Sequence, residues 1–301
     1  MSAQFSLFNC STLAPVFPDD SNNNSRWQTR VQSVPKPDGD YQSRNQDAAH
    51  PTLWTVSDGA GGTGFFAADW SQHLCAHLPT EPFETKQAVI DWFESLREPF
   101  FRAKRAQAEQ TFADILDDYE REGSSATLLA AWPLADDQLL VLHYGDSAAF
   151  LLDQNGQLKR HTTDLMAFTE PPFLLHSNEP LLPDHLSLET WPVAEGDVLL
   201  MASDALSQWL LIQMALRDAT LHPQLQAVLE TPYGLGNQII YCQQQHDPAL
   251  TIPQLLQRLT DVCSNETTFR DFTTDIYQRG QLALDDYTLR ICLRTPTSSK
   301  P

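Results

Sequence analysis

Aspartates recur in this chain where an apolar run ends beside small residues: NQDA at 45–48, VSDGAGG at 56–62, GDSAA at 145–149, MASDAL at 201–206 and ALDDYT at 283–288. An apolar run that stops at an acid reads as a buried strand whose end reaches water. If several such ends meet at one sheet edge, their carboxylates repel one another in a poorly hydrated place, and cations relieve that repulsion. Carboxylate and carbonyl oxygens are hard ligands that suit magnesium or manganese, ions that keep bound water for chemistry. A single aspartate after a strand more often just opens a turn. Five of them with the same local design, spread from one end of the chain to the other, favour the metal reading.

Other chemistries are weaker. Gly59, Gly61 and Gly64 satisfy GxGxxG after a strand, with Glu84 at the distance of a ribose-binding acid, but Asp58 would then sit against a pyrophosphate. His73 and His77 have the i, i+4 spacing of a zinc pair, without an HExxH glutamate or an evident third ligand. Ser203 lacks a GxSxG elbow, and the chain has no GxxxxGK phosphate loop.

The elements that must position these acids follow from periodicity. RWQTRVQSV alternates like a half-buried strand, and LWTVSD is a short buried one leading into the turn GAGGTG. Helical spacing follows in FFAADWSQHLCAHL and again over residues 86–120, with a break expected at Pro99. SSATLLAAWPL and DDQLLVLHYGDSAAFLLDQNGQLKRH read as three strands of an antiparallel meander, with an Asn155-Gly156 hairpin signal. Residues 165–192 carry several prolines and read as a surface loop or small subdomain. DVLLMASDAL is a buried strand, residues 207–275 are mainly helical, and DDYTLRICLR is a closing strand with alternating faces. Two blocks of strands with helices between them predict an α+β fold with mainly antiparallel sheets. It is expected as one domain over residues 26–295, after an irregular lead-in at 1–25 and before a short tail at 296–301.

Composition bounds the function. With 42% hydrophobic and 19% charged residues, the chain is of the ordinary globular type. A formal charge of −20 disfavours nucleic acid and anionic membrane as partners, and suits a protein that gathers cations. No apolar run is long enough to span a bilayer. The N-terminus lacks the pattern of a secretion signal, so the expected location is the cytoplasm. Five scattered cysteines without a CxxC pair read as reduced, packed thiols.

Taken in order, these segments resemble the metal-dependent serine/threonine phosphatases of the PP2C type, as a divergent bacterial-like member. The resemblance rests on Asn45-Gln46-Asp47, Asp58-Gly59-Ala60-Gly61-Gly62, Gly123-Ser124-Ser125-Ala126-Thr127, Gly145-Asp146-Ser147, Ser203-Asp204-Ala205 and Asp285-Asp286-Tyr287-Thr288. It spans about residues 40–293, and implies a four-layer α/β/β/α sandwich of two mainly antiparallel sheets flanked by helices. It also implies hydrolysis of phosphoserine and phosphothreonine in a protein substrate, opposing a serine/threonine kinase, through a water activated by two Mg2+ or Mn2+ ions. Asp58 is then the acid that bridges both ions, with the Gly59 carbonyl on one of them. Asp204 and Asp285 are further ligands of the first ion, Asp47 acts on the second directly or through water, and Asp146 matches the acid that holds a weaker third ion in some members.

Three positions depart from the pattern. Gln42 stands where members usually carry a phosphate-binding arginine, so that Arg44, or Arg30 on the preceding strand, is the candidate for that contact. Ala60 replaces a histidine suggested as a general acid in some members, and Ala205 replaces a glycine. Residues 165–192 occupy the place of the family's variable flap. The alternative to an enzyme is a phosphatase-shaped module that binds metal and a partner without turnover.

Overall fold

Our computed structural model describes residues 26–37, 45–61, 65–111, 116–135, 137–231 and 234–295. Residues 1–25, 38–44 and 296–301, and with them Gln42 and Arg44, lie outside that set.

One antiparallel sheet contains β1 (Trp27–Val34), β7 (Ala148–Leu152), β8 (Leu158–His161), β11 (Val198–Ala202) and β12 (Tyr287–Arg294), in the order β1-β12-β11-β7-β8. The second contains β2 (Ala48–Ala49), β3 (Trp54–Ser57), β5 (Leu128–Leu134), β6 (Gln138–Tyr144) and β10 (Ser187–Pro192), in the order β10-β6-β5-β3-β2. A small ladder joins β4 (Ser125–Ala126) to β9 (Leu175–His176).

Strand periodicity explains why the sheets stack. Successive side chains point to opposite faces, so a strand apolar at every position must be covered on both sides. In β5, Leu129 and Ala131 face the space between the sheets, while Leu128, Ala130 and Trp132 face the other way. In β11, Leu199 and Met201 face the inter-sheet space, while Val198, Leu200 and Ala202 face outward. Trp27 and Trp54 meet edge to face between the sheets, with centroids 5.0 Å apart. The outer face of the second sheet is covered by α1 (Ala67–Ala76) and α2 (Lys86–Thr111), through Trp70, Leu74, Phe93 and Phe100, with α3 (Leu116–Glu122) beside them. The outer face of the first sheet is covered by α4 (Asp204–Ala215), α5 (His222–Leu229), α6 (Gly236–Gln244), α7 (Ile252–Val262) and α8 (Glu266–Gln278). The result is the expected α/β/β/α order of layers. Among the described residues, no helix is long and apolar enough to cross a membrane.

Four local expectations need correction. Helix α2 runs through Pro99 without a break. Pro99 lies on its exposed face, where water can satisfy the carbonyl left without an N–H partner. The meander is two hairpins: β5 and β6 pair in one sheet, β7 and β8 in the other, and the chain changes sheets at Gly145, whose φ is +105°. The proline-rich stretch ends in β10, which pairs with β6 at the edge of the second sheet, with Pro192 at the strand's last position. Finally, β12 is buried along its whole length, because it lies between β1 and β11. Cys75, Cys242, Cys263 and Cys292 are free and buried, and Cys10 lies outside the described residues.

Candidate functional site

The acids gather where the strands of the two sheets end. A cavity of about 570 Å³ is lined by Asp58, Asp146, Asp204 and Asp285, together with Gly59, Thr127 and Lys36. Apolar residues also line it: Pro172 and Leu174 from the stretch before β9, and Leu284 before β12. Asp58 follows β3, Asp146 lies between β6 and β7, Asp204 opens α4, and Asp285 precedes β12. Four acids separated by up to 227 positions therefore share one pocket, and the separation is simply 285 minus 58.

Each acid is held by backbone close to a sheet end. The Asp58 amide donates to Thr127 Oγ1 at 2.9 Å, and the Thr127 amide donates to the Asp58 carbonyl at 2.8 Å. Thr127 Oγ1 in turn pairs with Ser147 Oγ at 2.7 Å, which ties the GDS turn to the DGxGG turn. Ser203 and Thr288 lock β11 to β12: the Ser203 amide donates to the Thr288 carbonyl at 3.1 Å, and the Thr288 amide to Ser203 Oγ at 3.0 Å. Ser33, Asn45 and Thr288 continue this network toward Asp47, with Ser33 Oγ at 2.7 Å from Thr288 Oγ1 and Asn45 Nδ2 donating to Ser33 Oγ at 2.8 Å.

Gly59 has a steric reason to be glycine. A Cβ there would stand 2.7 Å from the Gln46 carbonyl oxygen and 2.8 Å from that of Ala67, and backbone cannot give way as a side chain can. We expect Gly59→Ala to destabilise the fold by roughly 1–3 kcal/mol, the usual cost of overpacking, with the shift read in the midpoint of denaturant unfolding. An unchanged midpoint overturns this account of the turn.

Electrostatics mark the cluster as under strain in the absence of a cation. Burial, then repulsion from Asp47, Asp204, Asp285 and Asp146, holds the Asp58 carboxyl well above the ordinary carboxylate range. Asp204 is raised likewise by burial and by Asp146, Asp285 and Asp47. Burial also pushes Asp146 up to about 6 and raises Asp285. Asp47 does not line the pocket but lies buried within electrostatic reach of it. Burial pushes its carboxyl up to about 7, against the partial relief of the Ser203 and Thr288 hydroxyls. Those hydroxyls are near, yet neither Asp47 oxygen receives a hydrogen bond of proper geometry.

The fit to divalent cations can be judged on these groups. Among the described residues, no three acidic, histidine or cysteine side chains close on one point as a finished metal cage. Asp204 Oδ1 accepts the Ala205 amide, and Asp285 Oδ1 accepts the Asp286 amide at 2.8 Å. The donor set nevertheless consists of hard oxygens in one cavity, with an orphaned buried carboxylate beside it. That chemistry fits magnesium or manganese.

Sequence reasoning missed three contributors. Asp286, the second acid of the doublet, is a latch: it is buried and accepts the Lys36 amide at 2.8 Å and the Gln46 amide at 2.7 Å. Thr127 was visible only as part of a motif. Lys36 had no signal apart from its charge. Arg30, a candidate for phosphate contact, is directed elsewhere, with Nη1 donating to the Thr260 carbonyl of α7 at 2.6 Å. Of the pair His73 and His77, both on the α1 side of the molecule, His73 stacks on Trp70 and has its pKa lowered to about 4 by burial.

A family model described as protein phosphatase 2C matches residues 36–233, more than half of the 301-residue chain. The chain belongs to the protein phosphatase 2C family. Solved structures of other phosphatases are similar to this chain over most of its length. A bacterial serine phosphatase superposes with a TM-score of 0.50 at 12% identity, over 90% of this chain and 99% of the other. The catalytic domain of the serine/threonine phosphatase PstP, in complex with two manganese ions, gives 0.49 at 18% identity, over 90% and 99%. The serine/threonine phosphatase Stp1 from Staphylococcus aureus gives 0.48 at 14%, over 88% and 94%. No curated protein matches this protein phosphatase 2C chain in sequence.

Proposed function

We propose that the chain is a metal-dependent phosphatase acting on phosphoserine and phosphothreonine in a protein substrate, opposing a serine/threonine kinase in the cytoplasm. The observation that carries this reading is the convergence of Asp58, Asp146, Asp204 and Asp285 on one pocket, with their acidities depressed by burial and by one another. Family membership and the manganese ions in the PstP structure support it.

In this reading Asp58, the Gly59 carbonyl, Asp204 and Asp285 would hold a first Mg2+ or Mn2+ ion, Asp58 and Asp47 would serve a second, and Asp146 would serve a weaker third. Bound there, the ions supply an activated water and neutralise the phosphoryl oxygens for in-line attack. The chain's own part is positioning. Thr127 fixes the height of Asp58, Asp286 holds the backbone of Gln46 beside Asp47, and the Ser203–Thr288 pair keeps α4, and so Asp204, in register with β12. Arg44, outside the described residues, remains the sequence's candidate for phosphate contact.

Gln42 favours a second reading, a binding module that holds metal and a partner without turnover. The test that separates the two is hydrolysis of a phosphothreonine peptide with and without added manganese, in the wild type and in Asp204→Asn. An enzyme shows manganese-dependent turnover that the variant loses. A wild type with no turnover in either condition overturns the phosphatase reading.

A further inference from the structure

We propose that Lys36 is the side chain that holds the substrate's phosphoryl group, a role that rests on the phosphatase reading. Among the described residues that line the pocket, four are carboxylates and one is cationic, and the cation is Lys36. A phosphate monoester dianion entering that cavity would find, besides any metal held by the acids, one protein side chain able to pair with it by charge. An ammonium suits it, with a compact charge and three donors on a flexible stem that can follow a phosphoryl oxygen.

The position is built rather than incidental. Lys36 lies two residues beyond the end of β1, half-buried, between Pro35 and Pro37. Both prolines restrict the backbone on either side. Its amide donates to Asp286 Oδ1, and the other oxygen of the same carboxylate receives the Gln46 amide. One buried acid therefore sets both Lys36 and the segment that carries Asp47, and it neighbours Asp285 in the chain. Neither Arg30, tied to α7, nor any other basic residue among those described lines this cavity.

A purely structural role makes a different prediction. If Lys36 only neutralised Asp285, its removal would leave phosphate binding alone and tighten manganese binding, because a competing cation would be gone. The experiment uses the full chain loaded with manganese, as wild type, Lys36→Gln, Lys36→Arg and Arg44→Gln, each with its melting temperature checked. Steady-state kinetics on a phosphothreonine peptide give kcat and KM, and calorimetry gives the affinities for inorganic phosphate and for manganese. Lys36→Gln should raise KM and the phosphate Kd together, roughly ten- to a hundredfold for loss of a charge-assisted hydrogen bond. Its kcat and manganese affinity should stay within about threefold of wild type, and Lys36→Arg should recover most of the loss. An unchanged phosphate Kd in Lys36→Gln overturns the proposal, as does a loss confined to Arg44→Gln. Should the wild type bind phosphate without hydrolysing the peptide, the phosphatase reading fails by itself. The phosphate Kd of Lys36→Gln then still decides the role of Lys36.

Discussion

Asp58→Asn should remove at least about a thousandfold of manganese-dependent turnover, about 4 kcal/mol of transition-state stabilisation, and at the same time raise the melting temperature of the metal-free chain. The two effects have one origin. Asp58 is buried and faces Asp47, Asp204, Asp285 and Asp146, so its charge is a burden on the fold until a cation is shared. An amide of the same shape removes the repulsion and keeps the backbone bonds to Thr127. The expected gain is on the order of 2 kcal/mol, or several degrees for a chain of this size. Calorimetric melting in EDTA and kinetics in manganese read the two halves separately. A variant that loses activity and also melts lower without metal would mean that Asp58 serves the fold, and the account of a strained acid cluster would be wrong.

The second large effect is on pH dependence. A carboxyl whose pKa is raised in the fold binds a proton that the unfolded chain has already released, so its contribution to stability is full at acid pH and is lost as pH rises through the folded value. For Asp47 that window runs from the ordinary 3.8 to about 7, and for Asp146 from 3.8 to about 6. Asp58 and Asp204 act in the same direction. His143 and His73 act oppositely: burial lowers each from 6.5 to about 4, so their contribution is present above 6.5 and is lost on acidification. The raised carboxylates outnumber them. In EDTA the protein should therefore be more stable near pH 5.5 than at pH 7.5. Manganese should shrink or reverse that difference, because the ion needs the ionised acids. Asp47→Asn isolates one group: relative to wild type it should gain on the order of 2–4 kcal/mol at pH 7.5, and little near pH 4. Parallel pH profiles for the two proteins would rule this mechanism out.

Much of this was legible because strands announce themselves by period and by where they stop. The runs that became β1, β3, β11 and β12 were marked by alternation or continuous apolarity, and each acid by its strand end. The layered arrangement came through motif order and not from periodicity. Pro99 was misread because local propensity weighs a proline against the helix without knowing that its face is wet. The meander was misread because the middle of β6, Leu139 to Leu142, and all of β7 are continuously apolar, which hides that the chain leaves one sheet for the other at Gly145.

Residue type and spacing along the chain thus determined the fold class and nominated Asp58, Asp146, Asp204 and Asp285, since strand periodicity and carboxylate chemistry are local properties. Only tertiary structure could decide which member of the Asp285-Asp286 doublet lines the pocket and which latches backbone amides. It also turned Arg30 toward α7 and set Lys36 at the cavity wall. Those outcomes depend on which sheet end lies beside which. That is fixed by the burial of two sheets against each other, through contacts between residues far apart in the chain, and no window of sequence contains it.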